Sequence, residues 1–161
     1  MWLALQVLGY TVGAIVALLL LYLLFMVIAT IYTRATGQAP KGISIDAELP
    51  ESCRVGDRID IVVRVTNRLA RERTLCSVDF DAKFFSGFDL EGASPVPTAT
   101  SVSLGTAIHT MKQSIPPNGS IDVRFSCRAN RADDFRGDCT VYVDSGSFRY
   151  ISTPVAITIS A

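Results

Sequence analysis

Charge is missing from one end of this chain. The first 33 of its 161 residues carry no charged side chain, and all 15 Lys and Arg and all 15 Asp and Glu residues lie between Arg34 and Arg149. The net charge of zero excludes a basic protein that captures nucleic acid through an excess of cations. The 49% hydrophobic content excludes a disordered chain, and its concentration at the N-terminus excludes a simple soluble domain.

The uncharged run has the length and composition of a membrane-spanning helix. Thirteen of the twenty residues 12–31 are Leu, Ile, Val or Phe, which together favour insertion by roughly 4 to 8 kcal/mol. About 20 helical residues cross a hydrocarbon core of about 30 Å. A cleaved signal peptide would need a basic start and a shorter apolar stretch. The sequence therefore predicts an uncleaved anchor helix over residues 1–33.

Gly13 and Ala17, within the anchor, would lie on one face of the helix. Such a pair of small residues lets two membrane helices approach closely, so a helix–helix contact is predicted there, with scattered lipid-facing small residues as the alternative. Residues 34–42 contain Gly, Pro and polar side chains and predict a linker. Arg34 and Lys41 favour a cytoplasmic C-terminal domain, but long domains cross membranes regardless of such charges. The charges therefore do not decide on which side of the membrane the C-terminal domain lies. The working prediction is a single-pass protein with an extracytoplasmic domain.

After the linker the hydrophobic period changes to two, the pattern of strands with one buried and one solvated face. Residues 86–115 follow this pattern less clearly, with strands expected at 102–104 and 107–115, and Pro154 requires an edge or a break in the last strand. The chain is therefore predicted to form an all-β, immunoglobulin-like antiparallel β-sandwich of about seven strands over residues 43–161. The clear alternating runs are 43–49, 59–66, 76–84, 121–127, 139–143 and 151–159.

Three segments resemble the bacterial CARDB-type immunoglobulin-like domains. They are RVGDRIDIVVRVTNR (54–68), SIPPNGSIDVRF (114–125) and FRGDCTVYVDSGSF (135–148). In that family a Gly-Asp turn opens a strand that ends in Thr-Asn, and a Pro-Gly turn opens a second strand. The resemblance implies a seven-stranded sandwich that serves as an adhesion, spacer or interaction module, with no shared catalytic residues.

The four cysteines lack a C-x-x-C pair, so a zinc site is not expected. In an immunoglobulin-like strand order, Cys127 ends one strand and Cys139 begins the next. An exported domain would then form a Cys127–Cys139 disulfide, with Cys53–Cys139 as the alternative. In a reducing compartment all four cysteines, including Cys76, would stay free and buried as small hydrophobic residues.

Other chemistry-bearing residues favour structural roles. His109 is the single histidine and has no partners for a catalytic triad. Asp79 and Asp81 are expected on the solvated face of a strand. The pairing of Asp133 with Asp134 leaves a weak calcium site as an alternative, and the Arg-Gly-Asp triplet at 136–138 is expected in a loop as a turn.

The loop 67–74 concentrates positive charge, with Arg68, Arg71 and Arg73 against a single Glu72. In the predicted topology this loop lies at the end of the domain nearest the bilayer. The three arginines are therefore predicted to contact anionic lipid headgroups, each contributing about 1 kcal/mol. A solvated loop is the alternative.

These observations predict a membrane-anchored, non-catalytic interaction or scaffold module, an accessory or adhesion-type protein of the cell envelope. Its expected partners are the lipid bilayer and other proteins, which would bind at strand edges or at loops far from the membrane. An envelope-machine subunit similar in layout to archaellum stator proteins is a variant of this prediction. No catalytic residue, cofactor, metal, nucleic acid or small-molecule substrate is predicted. The alternatives are a metal-dependent or other enzyme with a site in the sandwich loops, and a membrane sensor that dimerises through its helix.

Overall fold

The computed structural model describes residue 13 and residues 15–29, 39–144 and 149–161. The chain divides into two compact units, Met1–Gly37 and Gln38–Ala161. In the first unit, residue 13 and residues 15–29 are helical. Much of the predicted anchor and linker, residues 1–12, 14 and 30–38, lies outside the described residues. Within those described, no helix is long and apolar enough to span a membrane.

The described part of the second unit is built of strands in two sheets, which confirms the predicted all-β sandwich. The four-stranded sheet has the order β1-β3-β8-β5, and the six-stranded sheet has the order β2-β10-β9-β4-β7-β6. The strands are β1 (Ile43–Glu48), β2 (Ser52–Arg54), β3 (Arg58–Asn67), β4 (Arg73–Asp81), β5 (Phe88–Ser94), β6 (Ala99–Ser103), β7 (Thr106–Ile115), β8 (Gly119–Ala129), β9 (Asp133–Val143) and β10 (Tyr150–Ser160).

The core lies between the two sheets and is filled by alternate side chains. Ile61, Val63 and Val65 of β3 are fully buried, and the residues between them are half-buried. Phe80 and Phe125 meet edge to face from opposite sheets, with their ring centroids 5.2 Å apart. Because each buried ring removes roughly 150–250 Å² of surface from water, these contacts make a large part of the hydrophobic core.

The run 76–84, predicted as one strand, ends earlier in the structure. β4 stops at Asp81, and Ala82–Phe85 forms a single helical turn whose Phe84 is fully buried. Gly137 of β9 makes room for this turn, because a Cβ there would lie 2.8 Å from the Asp81 Cβ and 2.9 Å from the Phe84 Cβ. The helical turn therefore packs directly against strand backbone.

The first two strands of the sandwich belong to different sheets. β1 pairs antiparallel with β3 in the four-stranded sheet, and after Leu49–Glu51 the chain crosses over, so that β2 pairs in parallel with β10 in the other sheet. Among the described residues, β2 covers β10 only at Thr158–Ser160. Pro154 therefore lies where β10 has β9 on one side and no strand on the other, a position that proline tolerates.

Candidate functional site: a basic pocket at one end of the sandwich

A pocket of about 350 Å³ opens at the end of the sandwich where β1 begins and β3 ends. Four cationic residues line it, from three separate parts of the chain. We call it the basic pocket. Its lining residues are Ala39, Pro40, Lys41, Leu69, Arg71, Arg73 and Arg149.

The β3–β4 loop that carries Arg71 is fixed by a buried amide. Asn67, which has no exposed surface, donates from Nδ2 to the carbonyl oxygens of Arg71 (2.8 Å) and Pro116 (3.1 Å). Its Oδ1 accepts a hydrogen bond from the Leu69 amide at 3.0 Å. Because a buried amide that lost these partners would stay unsatisfied, the backbone of the loop is held in one conformation.

The apolar part of the pocket depends on a glycine before β1. Gly42 has a φ of +71°, and a Cβ at this position would lie 2.7 Å from Leu69 Cγ. The Arg68 amide donates to the Gly42 carbonyl at 2.7 Å, and the Ile43 amide donates to the carbonyl of the buried Pro40 at 3.1 Å. The segment that enters β1 is therefore bonded to the β3–β4 loop and packs on Leu69.

Arg73 is the buried cation of the pocket. It is the first residue of β4, is 4% exposed, and donates from Nε to Asp144 Oδ2 at 2.5 Å. The other oxygen of Asp144 accepts a hydrogen bond from the Thr74 amide at 3.1 Å. The charge of Arg73 is therefore already balanced, and its guanidinium forms part of the pocket wall.

The remaining cations are exposed and uncompensated. Lys41, Arg71 and Arg149 are all exposed, and no described carboxylate forms an ion pair with any of them. Guanidinium groups bind phosphate or carboxylate oxygens through two parallel hydrogen bonds, and lysine adds a point charge. The pocket is thus suited to an anion with several oxygens.

The structure brings two of the three predicted loop arginines to this pocket. Arg71 and Arg73 line it, whereas the exposed Arg68 does not. Lys41 and Arg149 were missed as site residues. Only the topology could have indicated them. β1 and β10 begin at the end of the sandwich where β3 ends, so Lys41, before β1, and Arg149, before β10, lie at the same end as the β3–β4 loop.

All four cysteines are free thiols in the structure. β8 extends to Ala129 and β9 begins at Asp133, so Cys127 and Cys139 are buried within strands and do not flank a loop. Burial raises the pKa of both thiols to about 12. The predicted Cys127–Cys139 disulfide and its alternative with Cys53 are therefore absent from the structure.

His109 is a core residue at 1% exposure. Its ring lies 4.9 Å from that of Phe125 and 5.3 Å from that of Phe85, measured between centroids. Neither ring nitrogen has a hydrogen-bond partner among the described residues. Burial without a partner lowers the pKa of His109, so the imidazole is neutral near pH 7.

Asp79, expected on a solvated face, is instead buried. It lies opposite Ile108 of β7 and Thr140 of β9, and its Oδ1 has no partner within the described structure. Burial raises the pKa of Asp79 to about 6, although a hydrogen bond from Ser77 acts in the opposite direction. The neighbouring strands remove it from water because β4 lies in the interior of the sheet.

The acidic pair at 133–134 takes part in local bonds. Asp134 accepts a hydrogen bond from Thr158 Oγ1 at 2.7 Å, and Asp133 accepts one from the Asp134 amide at 2.9 Å. The Arg-Gly-Asp triplet at 136–138 lies inside β9 and not in a loop. Across the described ranges, no three His, Cys, Asp or Glu side chains come together as metal ligands.

The residues predicted to mediate a helix–helix contact are both helical and exposed. Gly13 and Ala17 belong to the N-terminal helix. A Cβ at Gly13 would have no neighbour within 4 Å.

Comparisons with known proteins point to solved structures and not to a sequence family. No family model and no curated protein matches the sequence. AvmM, which catalyses macrocyclisation in alchivemycin A biosynthesis, is 10% identical, with a TM-score of 0.49 over 76% of this chain and 91% of its own. The cupredoxin domain of amoB from Nitrosocaldus yellowstonii is 8% identical, with a TM-score of 0.49 over 76% and 90% of the two chains. The sporulation control protein Spo0M from Bacillus subtilis is 11% identical, with a TM-score of 0.47 over 76% of this chain and 51% of its own. At these identities and TM-scores, the similarities assign neither a fold family nor a function to this chain.

Proposed function

We propose that this protein is a single-pass, membrane-anchored interaction module of the cell envelope, without catalytic activity, whose basic pocket binds anionic lipid headgroups. The observation that carries the proposal is the position of the pocket. Lys41 and the segment 39–40 line it, and they follow the uncharged N-terminal run by only a few residues. In the proposal, the protein partners bind to the rest of the sandwich, on the extracytoplasmic side.

The described helix supports the proposed anchor. Its large apolar side chains point in all directions around the axis and all are exposed. A helix that is hydrophobic on every side is typical of a membrane interior or of a large protein core. The exposed residues are Ile15, Val16, Leu18, Leu19, Leu20, Leu21, Tyr22, Leu23, Leu24, Phe25, Met26, Val27 and Ile28.

The strand order supports the immunoglobulin-like arrangement that is part of the proposal. The four-stranded sheet β1-β3-β8-β5 corresponds to strands A, B, E and D of a constant-type immunoglobulin domain, and β10-β9-β4 corresponds to G, F and C. The hairpin β6–β7 is an addition beyond strand C, and β2 adds a short strand beside G. The seven common strands are those that the resemblance implies.

Chain length supports contact between the pocket and the membrane. If the anchor ends at Thr33, the six residues up to Ala39 span at most about 20 Å when fully extended. This reach keeps the pocket near the headgroup layer on either side of the membrane. Anionic headgroups attract each nearby cation with about 1 kcal/mol.

Vesicle binding of the C-terminal unit, Gln38–Ala161, tests the pocket. Replacing Lys41, Arg71 and Arg149 by Gln should weaken binding to mixed phosphatidylcholine–phosphatidylglycerol vesicles by roughly 100-fold, since three cations contribute about 1 kcal/mol each. Vesicles of phosphatidylcholine alone should bind neither form. Sedimentation with vesicles at several salt concentrations measures the difference.

A matched control removes three cations elsewhere. Replacing Arg54, Arg131 and Arg136 by Gln changes the net charge equally, and these exposed residues lie outside the pocket lining. Equal loss of binding in both triple variants would contradict a pocket-specific contact. Release of the full chain from membranes by alkaline carbonate would contradict the anchor.

A further inference from the structure

The four edge strands of the two sheets differ in how they are protected from pairing with another chain. β1 carries the exposed Asp46 and Glu48, and β5 carries Asp89 and Glu91 together with a bulge between Leu90 and Gly92. β2 has only three residues. Charges, bulges and short length are the devices by which proteins prevent the addition of a strand.

β6 has none of these devices within its length. Its sequence is Ala-Thr-Ser-Val-Ser, all five residues are exposed, and it lies at the edge of the six-stranded sheet. No charged side chain occurs between Glu91 and Lys112. Because Thr100 and Val102 are β-branched and favour strands, and no charge opposes pairing, this exposed edge can accept a further strand.

The hairpin holds this edge in place. Leu104 and Gly105 form a two-residue turn, with φ of +49° and +79°, the sign that a type I′ hairpin requires at both positions. The Thr98 amide donates to the Thr110 carbonyl at 2.7 Å before the strand begins. The edge is therefore pre-formed and loses little conformational entropy when a partner strand is added.

Exposed apolar side chains flank β6, with Val96 three residues before the strand and Leu104 directly after it. Leu104 is 95% exposed and Val96 is 75% exposed, while Val102 within the strand is 72% exposed. A leucine with positive φ is strained, and such strain is commonly found at functional positions. Along the chain, Val96 precedes Ser101, the central residue of β6, and Val102 and Leu104 follow it.

We propose that this edge is an interface for a second copy of the same chain, with β6 pairing antiparallel to β6 of the other copy about Ser101. In this register Val102 of one copy faces Thr100 of the other, and Leu104 approaches the segment 96–98 that contains Val96. Each uncharged residue meets an uncharged residue. The other edges exclude self-pairing of this kind, because Asp46 and Glu48 of β1, or Asp89 and Glu91 of β5, would meet like charges.

The proposed dimer rests on the proposed membrane anchor, because pairing of two five-residue strands buries only a small interface. Interfaces below about 1,200 Å² are usually transient in solution. Two copies anchored in one membrane meet at a much higher effective concentration, which favours a weak symmetric contact. The expected dimer is therefore weak in detergent and populated in the bilayer.

Disulfide trapping in the full chain tests the register. Ser101→Cys places the two thiols directly opposite each other, where Cα atoms lie about 4.5–5.5 Å apart and a disulfide forms readily. The half-buried Cys53 and Cys76 are first replaced by Ser. Copper–phenanthroline, with oxygen as the oxidant, is added to membranes that contain the protein, and covalent dimer is measured on non-reducing gels.

The matched control is Glu48→Cys in the same background, an exposed position on the β1 edge. Ser101→Cys should give predominantly covalent dimer and Glu48→Cys only the background of random collisions. Adding Thr100→Glu and Val102→Glu should reduce trapping by about tenfold or more, because like charges then face each other. Val102→Thr, which keeps the edge uncharged, should leave trapping unchanged.

Equal trapping of Ser101→Cys and Glu48→Cys would overturn the proposal, as would trapping that survives the two glutamates. A monomeric Ser101→Cys protein that instead crosslinks to a different protein would also overturn it. Circular dichroism of each variant confirms that the fold is intact. Carbonate extraction of the same membranes reports separately on the anchor, so the dimer and the proposed function can fail independently.

Discussion

On the outer face of the four-stranded sheet, opposite charges lie side by side in water, whereas the six-stranded sheet buries three polar or charged side chains, Arg73, Asp79 and His109. Arg64 of β3 binds Asp122 of β8 at 2.8 Å, with side chains 43% and 47% exposed. Arg124 binds Asp60 in the same way. In the six-stranded sheet, Arg73 is buried against Asp144.

The contrast teaches where charge is costly in this fold. An exposed pair has water as an alternative partner and contributes about 0–1 kcal/mol. A buried charge has no alternative partner, so the loss of its counter-ion leaves a desolvated ion. Substitutions of similar chemistry in the two sheets should therefore differ several-fold in their effect on stability.

The largest effect is expected at the pair formed by the buried Arg73 and the half-buried Asp144. Asp144→Asn retains the shape of a residue with φ of +54° but leaves Arg73 without a counter-ion, and should lower the free energy of unfolding by about 3 kcal/mol. Urea denaturation measures the change. The double variant with Arg73→Met should recover most of the loss, because it removes the buried cation that Asp144→Asn leaves without a counter-ion. A double variant as unstable as the single one would contradict this account.

The next effect is expected at Asp79. Its pKa in the folded state is about 6 against 3.8 in the unfolded chain, so the folded protein loses stability as the pH rises from about 4 to about 6 and Asp79 ionises. Asp79→Asn removes this loss, and should stabilise the protein by about 2 kcal/mol at pH 8 and have little effect at pH 4. Asp46→Asn, the same substitution at an exposed position of β1, is the control.

A smaller effect is expected at His109. Its pKa is lowered from 6.5 in the folded state, so the unfolded chain binds the proton first and stability falls as the pH drops below about 6.5. His109→Phe removes two unpaired nitrogens from an aromatic site and should stabilise the protein by about 1 kcal/mol at pH 8. The gain should increase at pH 5. Thermal unfolding at both pH values checks this, and an unchanged pH slope would argue against it.

The smallest effect is expected on the four-stranded sheet. Arg124→Gln removes the exposed pair with Asp60 and should change the free energy of unfolding by less than about 0.5 kcal/mol. Molar salt should abolish even this difference by screening. A loss comparable to that of Asp144→Asn would remove the distinction between the two sheets.

The sequence predicted the strands that have one buried face. β3 and β8 alternate over ten residues or more because one face meets the core and the other meets water. β5 and β6 were unclear or missed, because most of their residues are exposed on both faces. A strand without a buried face has no period-two signal.

The site was partly predictable for a similar reason. Arg71 and Arg73 are close in sequence and were found as a local excess of charge. Lys41 and Arg149 join them only through the fold. The burial of Arg73 depends on Asp144, 71 positions away, and no local pattern reveals a pair of that separation.

The crossover from β1 to β2 has a mechanical consequence. A pull on the segment before β1 enters the domain at Ile43 and acts along β1, whose six residues Ile43–Glu48 are all paired with residues of β3. Such a load acts in shear on all the hydrogen bonds between β1 and β3 together and does not break them one after another. Any residual tension passes through Leu49–Glu51 to β2 and the opposite layer. Under a pull at its N-terminus, the domain should therefore resist mechanical unfolding better than a sandwich whose first strand is loaded one hydrogen bond at a time.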